Sequence, residues 1–509
     1  MSKKFILVLL LLFLVATNLP YIYGFASSTN GLVFGGLIQN PIDGNSYLAK
    51  MYQGYQGDWK FYLPYSIERG DGAYLFLFYL FLGHLSRWFG LPLIVVFHLA
   101  RVFASVALFL SVLFFVENLL PPENNYRKLA LVLCLFGSGL GWLAFFFNLF
   151  TADIWVAEAF PFLAAYTNPH FPLGLALILF LLIYSYRVKS VRSYLLTATL
   201  GMFLAIVLPF GIVVLAGIFL VESIWKYLSE RQISIQPLLM LIGGGVCLLY
   251  QFFVTLYDPV LTEWNTQNMT ISPPLWDVIL SLSPAFFLAF IGYRKAASLL
   301  SAFSFRILYG WAFFDLALIY FPFNLQRRFM LGLYIPFSLL AVIGLIEICD
   351  KVKSRGRYVY SIVIAASVLT NVLVISAGFF GILGRDAKIF YSQAKNEAFN
   401  WIVANTPKES IILASEEMGL LIPAHTGRRV VYGHPFETVH AEQRKESVKR
   451  FFQGTMDHKE INRLLENDGV DYILWSDRNE NATGWEDRLN CVVVFNNIET
   501  KICDVELSK

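Results

Sequence analysis

The sequence predicts a polytopic α-helical membrane protein that carries a small α/β domain at its C-terminal end. Of the 509 residues, 57% are hydrophobic and only 15% are charged, whereas soluble globular proteins carry about 25% charged residues. Apolar runs long enough to cross a bilayer as helices recur as far as residue 383. From residue 384 onward, charged residues become frequent and short apolar strands alternate with helical patterns, which is typical of an α/β domain.

About eleven apolar segments are predicted to cross the membrane. The first follows Lys3 and Lys4 and stays apolar through Tyr23 without a small-residue cleavage site, so we interpret it as an uncleaved span and not as a signal peptide. The other runs, with approximate ends, are 92–119, 127–149, 171–187, 193–209, 211–227, 236–256, 274–293, 299–321, 329–349 and 357–379.

The segment at residues 73–88 decides the topology, because it is apolar but short for a span. If it stays on the outer side, most Lys and Arg residues of the later loops gather on the cytoplasmic side, as the positive-inside rule requires. If it crosses, that bias reverses. We therefore predict a re-entrant or in-plane helix at 73–88, a cytoplasmic N-terminus and a C-terminal domain outside the plasma membrane.

The first outer loop, residues 25–91, holds the most informative stretch, NPIDGNSYLAKMYQGYQGDWKFYLPYSIERGDG at residues 40–72. Asp43 opens a helical pattern there and lies near a helix start, where the helix dipole favours an anion. An acid held at a membrane surface can serve as a catalytic base or as a metal ligand. The alternative is that Asp43 only caps an interfacial helix.

The pattern IDGNSYLAKMYQGYQGDWKF followed by FLFYLFLGHL, within a long first outer loop, resembles the GT-C superfamily of membrane glycosyltransferases. That superfamily includes the aminoarabinose transferase, the protein O-mannosyltransferases and the oligosaccharyltransferase catalytic subunit. The resemblance in layout covers the whole chain. It implies a transmembrane domain at residues 1–383 with two interfacial helices in its first outer loop, and an extracytoplasmic domain at residues 384–509.

The resemblance also implies glycosyltransferase activity. A hexosyl or pentosyl group would move from a polyprenyl-phosphate carrier to a lipid, glycan or protein acceptor on the outer face, and membrane lipids would surround the protein. Asp43 then occupies the catalytic position, which is a general base in some members and a metal ligand in others. The outer loops contain no second clear DxD or ExD motif. Metal dependence therefore stays open, and a divalent cation such as Mg²⁺ or Mn²⁺ would be held by Asp43 and Glu158.

Three cations are candidates for the phosphate of the donor. Arg327 and Arg328, in the sequence FNLQRRF, lie in the predicted outer loop before the tenth span, and Lys60 lies in the first outer loop. Arginine binds phosphate oxygens in a bidentate geometry, which suits a lipid-phosphate-linked sugar. The alternative for the arginine pair is that it only anchors a helix end at lipid headgroups.

Five further residues are candidate acids or cavity residues: Asp153, Glu158, His170, Arg101 and Asp315. The first three lie in the predicted second outer loop. The alternative for the two acids is that they only solvate the loop, and the alternative for the histidine is that it is a neutral, hydrogen-bonded residue at a helix start. Ionisable residues inside a membrane are costly and therefore indicate function. The alternative for the two intramembrane residues is a structural Arg101–Asp315 pair.

In the C-terminal domain, helical patterns are predicted at residues 391–405, 437–455 and 458–467, and strands at 411–415, 429–433, 471–476, 491–495 and 501–505. Cys491 and Cys503 would face each other in a hairpin centred on Asn497, close enough for a disulfide. The alternative is two reduced core cysteines.

Composition argues against nucleic-acid binding and a zinc site, and two functions other than glycosyl transfer stay open. The net charge of +3 is too small to indicate nucleic-acid binding, and the five cysteines form no CxxC or His/Cys cluster typical of zinc sites. A lipid or glycan transporter or flippase would explain the intramembrane charges and the spans broken by Pro and Gly. A non-enzymatic cell-envelope scaffold would explain the outer domain alone.

Overall fold

The computed structural model describes residues 1–188, 190–233, 236–239, 241–476 and 491–505. The chain divides into two compact units. The helical unit comprises Met1–Pro20, His98–Tyr250 and Met269–Phe380. The mixed unit comprises Tyr21–Phe97, Gln251–Asn268 and Gly381–Lys509, so it groups most of the predicted first outer loop with the C-terminal segment.

The helices are given in chain order. The first twelve are α1 (Lys3–Ala26), α2 (Pro41–Gln56), α3 (Leu77–Phe89), α4 (Leu93–Leu119), α5 (Asn124–Phe136), α6 (Gly141–Phe145), α7 (Ala152–Trp155), α8 (Pro161–Tyr166), α9 (His170–Tyr184), α10 (Val191–Val207), α11 (Pro209–Glu230) and α12 (Gln236–Leu239). The others are α13 (Leu241–Tyr257), α14 (Pro259–Gln267), α15 (Leu275–Leu282), α16 (Ala285–Ile291), α17 (Tyr293–Leu299), α18 (Ala302–Leu318), α19 (Tyr334–Val352), α20 (Gly356–Leu383), α21 (Gln393–Asn405), α22 (Glu416–Thr426), α23 (Ala441–Phe452) and α24 (His458–Asn467). The strands are β1 (Leu32–Phe34), β2 (Phe390–Ser392), β3 (Ile411–Ala414), β4 (Arg429–Val430), β5 (Tyr472–Ser476), β6 (Val492–Asn496) and β7 (Thr500–Asp504).

Among the described residues, six helical stretches are long and apolar enough to cross a membrane: Lys3–Ala26, Leu93–Leu119, Asn125–Phe145, His170–Arg187, Pro209–Glu230 and Tyr334–Leu383. A seventh would be the pair of α13 and α14, which is bent by 97°. The protein is therefore a multi-pass membrane protein. The predicted span count of about eleven is not confirmed, because several predicted spans form shorter or interrupted helices, such as α10 and the pair of α15 and α16.

The helical unit packs through small residues at helix crossings. A Cβ atom added at Gly344 of α19 would lie 2.0 Å from the carbonyl oxygen of Leu288 in α16. Only glycine permits so close an approach of two helix backbones, a device common in membrane proteins. The N-terminal two thirds of α19 are buried in this unit as a result of such packing.

In the mixed unit, α2 and α3 also cross at glycines. A Cβ atom at Gly54 would lie 2.0 Å from the carbonyl oxygen of Leu80, and one at Gly83 would lie 1.9 Å from that of Met51. Both helices expected in the first outer loop are thus present. With 13 residues, α3 is about 20 Å long, which is shorter than the roughly 30 Å hydrocarbon core of a bilayer. Its in-plane position stays a prediction.

The C-terminal segment forms a five-stranded mixed sheet in the order β4-β3-β5-β7-β6, so all five predicted strands are present. β3 runs parallel to both β4 and β5, and β7 runs antiparallel to β5 and β6. Sequence reasoning missed α22 and the two-stranded sheet in which β1 of the outer loop pairs with β2. It also placed the start of α23 too early, because residues 433–438 form a turn and not a helix.

Cys491 and Cys503 form the predicted disulfide, with their Cα atoms 5.8 Å apart. The register differs from the expectation. Cys503 pairs directly with Val493, and a bulge follows between Val493 and Phe495, so the hairpin is not centred on Asn497. The disulfide therefore joins Cys503 in β7 to Cys491, which immediately precedes β6. The two cysteines are diagonal neighbours and not directly opposite each other.

Candidate active site

Three polar side chains follow one face of α2 at its start. Asp43, Ser46 and Lys50 are spaced i, i+3 and i+7, which places them on the same side of a helix. The helix cap is Asn40, in a left-handed conformation with φ of 49° that asparagine tolerates better than most residues. The Asn40 Oδ1 atom accepts a hydrogen bond from the Asp43 backbone N–H, and the Asn40 Nδ2 atom donates to Asp43 Oδ2 at 2.6 Å. Asp43 is thus the third helical residue and not the cap.

Facing this side of α2 is a tight turn at residues 433–438, which we call the His434 turn. The Thr438 hydroxyl accepts from the backbone N–H groups of Gly433 and His434. The His434 Nδ1 atom accepts from the backbone N–H groups of Phe436, at 3.1 Å, and Glu437, at 3.2 Å. A nitrogen that accepts two N–H groups carries no proton itself, so the ring is the neutral tautomer with its proton on Nε2.

The Nε2 atom of His434 points at Asp43. It lies 3.8 Å from Asp43 Oδ1, with the His434 side chain 2% exposed and the Asp43 side chain 33% exposed. Among the described residues, Nε2 is a buried polar atom without a hydrogen-bond partner. An unsatisfied buried donor costs about 1–3 kcal/mol of stability. Because the fold nevertheless keeps this donor facing the Asp43 carboxylate, we interpret Asp43 as the centre of a polar site.

A buried ion pair holds the same two elements together. The Lys50 ammonium lies 2.6 Å from Glu437 Oε1, and the Ser46 hydroxyl donates to the same oxygen at 2.6 Å. Burial is the largest effect and opposes the charge on Glu437, but Lys50 and the other groups around the carboxylate together outweigh it, so the pKa of Glu437 lies below its ordinary value. The lysine and the glutamate are therefore both charged, and the face of α2 is fixed against the His434 turn.

Lys60 does not join this cluster. Its exposed ammonium donates to the backbone carbonyl of Asp71 at 3.3 Å. Asp58, an acid of the same loop, pairs with Lys408 at 2.8 Å. Of the side-chain charges of Asp43, Asp58 and Lys60, the Asp43 carboxylate is the one that faces a buried histidine.

The helical unit contains a second polar cluster, which brings three predicted residues together. Glu158 lies 3.6 Å from Arg327 and 4.0 Å from Arg328, and its side chain is 5% exposed. The Arg327 guanidinium lies over the Trp155 ring, 4.8 Å from its centroid. Both arginines belong to a 3₁₀ turn at Gln326–Met330, and their side chains are only 20% and 27% exposed.

Asp153 and His170 have structural environments in the helical unit. The Asp153 carboxylate is fully buried and accepts from the Thr151 hydroxyl at 2.6 Å and the Gly141 backbone N–H at 2.9 Å. A Cβ atom at Gly141 would lie 2.4 Å from Asp153 Oδ1, so the acid fills the space beside a glycine. His170 is buried as the first residue of α9, with its ring 3.9 Å from that of Phe171.

The alternative of a structural Arg101–Asp315 pair is not observed between these two described residues. The Arg101 guanidinium donates to the backbone carbonyls of Thr17 and Ala165 and to the side chain of Asn18. Asp315 instead accepts from the Trp311 indole at 2.6 Å. A carbonyl within α1, a carbonyl near the end of α8 and the Asn18 side chain satisfy the arginine without a carboxylate partner.

The side chains around Asp43 do not fit a divalent cation. Within the described part of the chain, no group of three or more His, Cys, Asp or Glu residues is arranged to hold a metal ion. A metal bound to His434 Nε2 would displace the proton from that atom, and Nδ1 could take it up only by losing two backbone hydrogen bonds. Glu437 is already neutralised by Lys50.

No protein-family model matches the chain, and no curated protein matches it by sequence. Solved structures do match. The oligosaccharyltransferase of Archaeoglobus fulgidus shares 13% identity at a TM-score of 0.55, over 93% of this chain and 70% of that one. ArnT from Cupriavidus metallidurans shares 12% identity at a TM-score of 0.51, over 97% of both chains. The mycobacterial arabinofuranosyltransferase AftD shares 12% identity at a TM-score of 0.52, over 99% of this chain and 40% of that one.

These neighbours are GT-C glycosyltransferases, and at such low identity the likeness establishes the fold. The resemblance drawn from the first outer loop is therefore confirmed at the level of fold: the chain folds as a GT-C membrane glycosyltransferase does. Two neighbours have been solved with lipid carriers, ArnT with undecaprenyl phosphate and the archaeal enzyme with an inhibitory peptide and a dolichol-phosphate. The archaeal enzyme has also been solved with Zn and sulfate.

Proposed function

We propose that the protein is a membrane glycosyltransferase that moves a sugar from a polyprenyl-phosphate carrier to a lipid, glycan or protein acceptor on the outer face. The GT-C fold and the carriers bound by its neighbours support this class of reaction. The observation that carries the proposal is the Asp43 carboxylate, which is oriented by Asn40, faced by His434 and still one-third exposed to an incoming group.

Asp43 is the general base in this reaction. It takes the proton from the acceptor hydroxyl as that oxygen bonds to the anomeric carbon of the sugar. The bond between that carbon and the phosphate oxygen breaks, and the phosphate leaves on the carrier lipid with the bonding electron pair. A positioned base contributes typically about a hundredfold to ten-thousandfold in rate.

Arg327 and Arg328 bind the carrier phosphate in this proposal. Two guanidinium groups surround one carboxylate, Glu158, so the cluster retains a positive charge that an anionic phosphate can balance. Anchoring at lipid headgroups leaves cationic groups in water, whereas these side chains are mostly buried and one lies over Trp155. Lys60, which is exposed, is proposed to add to the positive charge available to the carrier.

The proposed topology has about eleven spans, a cytoplasmic N-terminus and the C-terminal segment outside. It is tested by labelling with a membrane-impermeant thiol reagent after replacement of the free cysteines Cys134, Cys247 and Cys349. Asp71→Cys and Ala404→Cys should label in intact cells, and Ser354→Cys only after lysis. Labelling of Asp71→Cys and Ser354→Cys with protection of Ala404→Cys would show that residues 73–88 cross.

The transporter alternative rested on the intramembrane charges Arg101 and Asp315 and on spans broken by Pro and Gly. Arg101 is bound by helix carbonyls and Asp315 accepts from Trp311, which is compatible with structural roles for both side chains. The scaffold alternative can be distinguished from an enzyme by comparing the wild-type protein with the Asp43→Asn variant in cells. A scaffold would tolerate Asp43→Asn in full, because that substitution changes neither the size of the side chain nor the helix cap.

The proposed activity is tested by mass spectrometry of cell-envelope glycolipids, glycans and polyprenyl-phosphate sugars. Three strains are compared, carrying the wild-type protein, no protein and Asp43→Asn. We expect one glycosylated product to disappear in the last two strains, with accumulation of its polyprenyl-phosphate-linked donor. Identical profiles in the wild-type and deletion strains would refute glycosyl transfer by this protein.

A further inference from the structure

We propose that His434 is the positioning residue for Asp43, donating its Nε2 proton to Asp43 Oδ1 in the reacting complex. This inference rests on the proposed role of Asp43 as the general base. The two atoms are 3.8 Å apart here, which is beyond a hydrogen bond. Catalytic hydrogen bonds are often long without substrate and tighten when it binds.

The direction of the donor is built into the fold. Phe436 and Glu437 hold the Nδ1 atom of His434 with two backbone N–H groups. The ring cannot take a proton at Nδ1 without turning both of these bonds into repulsive contacts, so it serves as a donor and not as a second base. Its Nε2 atom has no other hydrogen-bond partner among the described residues, although it is buried.

Each oxygen of Asp43 then has its own side-chain donor. Asn40 Nδ2 donates to Oδ2 at 2.6 Å, and His434 Nε2 faces Oδ1. Donors on both oxygens fix the rotation of the carboxylate and stabilise its negative charge until it receives the proton of the acceptor. The Asp43 side chain is 33% exposed, and the acceptor approaches from the exposed side.

In this proposal the C-terminal segment contributes a residue to the catalytic site. His434 lies in the turn that follows β4, and the Glu437–Lys50 ion pair fixes that turn against α2. The sheet region therefore does more than cover the first outer loop, because it supplies a side chain to the base itself. A change in the His434 turn should alter turnover even when the remainder of the protein is intact.

Two substitutions separate the two ends of the imidazole. His434→Asn places an amide oxygen near the position of Nδ1 and keeps the turn, but it has no atom that reaches Asp43. His434→Gln places an amide N–H near the position of Nε2 and keeps the donor, but it loses the Nδ1 acceptor and destabilises the turn. If His434 were only structural, the asparagine variant would be the milder of the two.

The test measures initial rates of transfer in membranes of cells that make each full-length variant, using the product identified by the strain comparison. We expect kcat of His434→Asn to fall on the order of tenfold to a hundredfold, as for other hydrogen bonds to a charged group, with KM for the donor and the melting temperature little changed. His434→Gln should retain a higher kcat despite a lower melting temperature. A wild-type kcat in His434→Asn, or losses that follow melting temperature in both variants, would overturn the inference.

The Asp43→Asn background distinguishes this inference from the proposed function. If Asp43 is the base and His434 acts through it, His434→Asn should cause no further loss in that background, because residues that act as a unit are not additive. A further loss of the same size would show that His434 acts independently and would overturn the positioning role alone. Normal transfer by Asp43→Asn itself would overturn both proposals.

Discussion

The Lys50 ammonium lies 2.6 Å from the Glu437 carboxylate, and this pair joins residues 387 positions apart in the chain. The ammonium also lies 4.5 Å from the centroid of the Phe76 ring and is fully buried. This contact fixes α2 against the His434 turn, so it determines that Asp43 faces His434. The stability of the pair and the geometry of the candidate base are therefore linked.

Lys50→Met should destabilise the protein severely. The substitution leaves the buried Glu437 carboxylate with only Ser46 as a partner, and breaking a buried ion pair typically costs about 3–5 kcal/mol of unfolding free energy. The matched control is Lys50→Met with Glu437→Gln, which removes both charges and should recover most of the loss. The measurement is thermal unfolding of the purified full-length protein in detergent. Equal melting of Lys50→Met and wild type would show that the pair contributes nothing.

His425 should make stability depend on pH. Its ring stacks on Phe399 with centroids 5.0 Å apart, and burial lowers the pKa of His425 from 6.5 to about 4. The unfolded chain takes up a proton below about pH 6.5, whereas the folded chain does so only near pH 4. The contribution of this histidine to stability is thus complete above pH 6.5 and is lost progressively as the pH falls from about 6.5 to about 4.

His425→Phe keeps an aromatic ring on Phe399 and removes the titration. Its melting temperature should therefore fall less than that of the wild type when the pH is lowered from 7.5 to 4.5. Both proteins should be compared at full length in the same detergent. Parallel losses in the two proteins over this range would mean that His425 is not the residue responsible.

Replacing Arg327 and Arg328 should weaken binding of the carrier. Glutamine at both positions removes the charges that would bind phosphate, but it also leaves the buried Glu158 without its two cations. The variant is therefore combined with Glu158→Gln to protect the fold. We expect binding of undecaprenyl phosphate to fall by at least tenfold with little change in melting temperature.

Arg327→Lys with Arg328→Lys is the matched control for charge. Lysine preserves headgroup anchoring but cannot make bidentate contacts with phosphate. An intermediate affinity for undecaprenyl phosphate is expected. Wild-type affinity in both the glutamine and the lysine variants would leave the arginines with an anchoring role only.

Much of the fold could be predicted because its signals are local. The helix that begins near Asp43 and the five strands of the C-terminal sheet each show their own periodicity in the sequence, and the Cys491–Cys503 pair lies across one short hairpin. The partners of Asp43 could not be predicted in this way. His434 is far away in the chain, and the Pro435 that follows it, which disfavours a helix at the preceding residue, was the available sign that residues 433–438 form a turn.

In the helical unit too, some features of the site could be predicted from the sequence and others could not. The predicted topology assigned Glu158, Arg327 and Arg328 to one membrane face, but the pairing of the acid with the two arginines was not predicted. The alternative Arg101–Asp315 pair rested on charge complementarity, and it does not form because backbone carbonyls of other helices satisfy the arginine. The sequence shows which side chains are charged, but it does not show which backbone carbonyls of other helices will lie within reach of a buried arginine.

The most direct test of the account is the rate of glycosyl transfer by Asp43→Asn. Asn40 remains the helix cap and the size of the side chain is unchanged, so expression and melting temperature should match the wild type. Asparagine cannot accept the proton of the acceptor, so transfer should fall by about a hundredfold to ten-thousandfold, whereas the matched control Asp71→Asn in the same loop should transfer normally. Near-normal transfer by Asp43→Asn would contradict the account and direct the search for the base to Glu158 and Asp153.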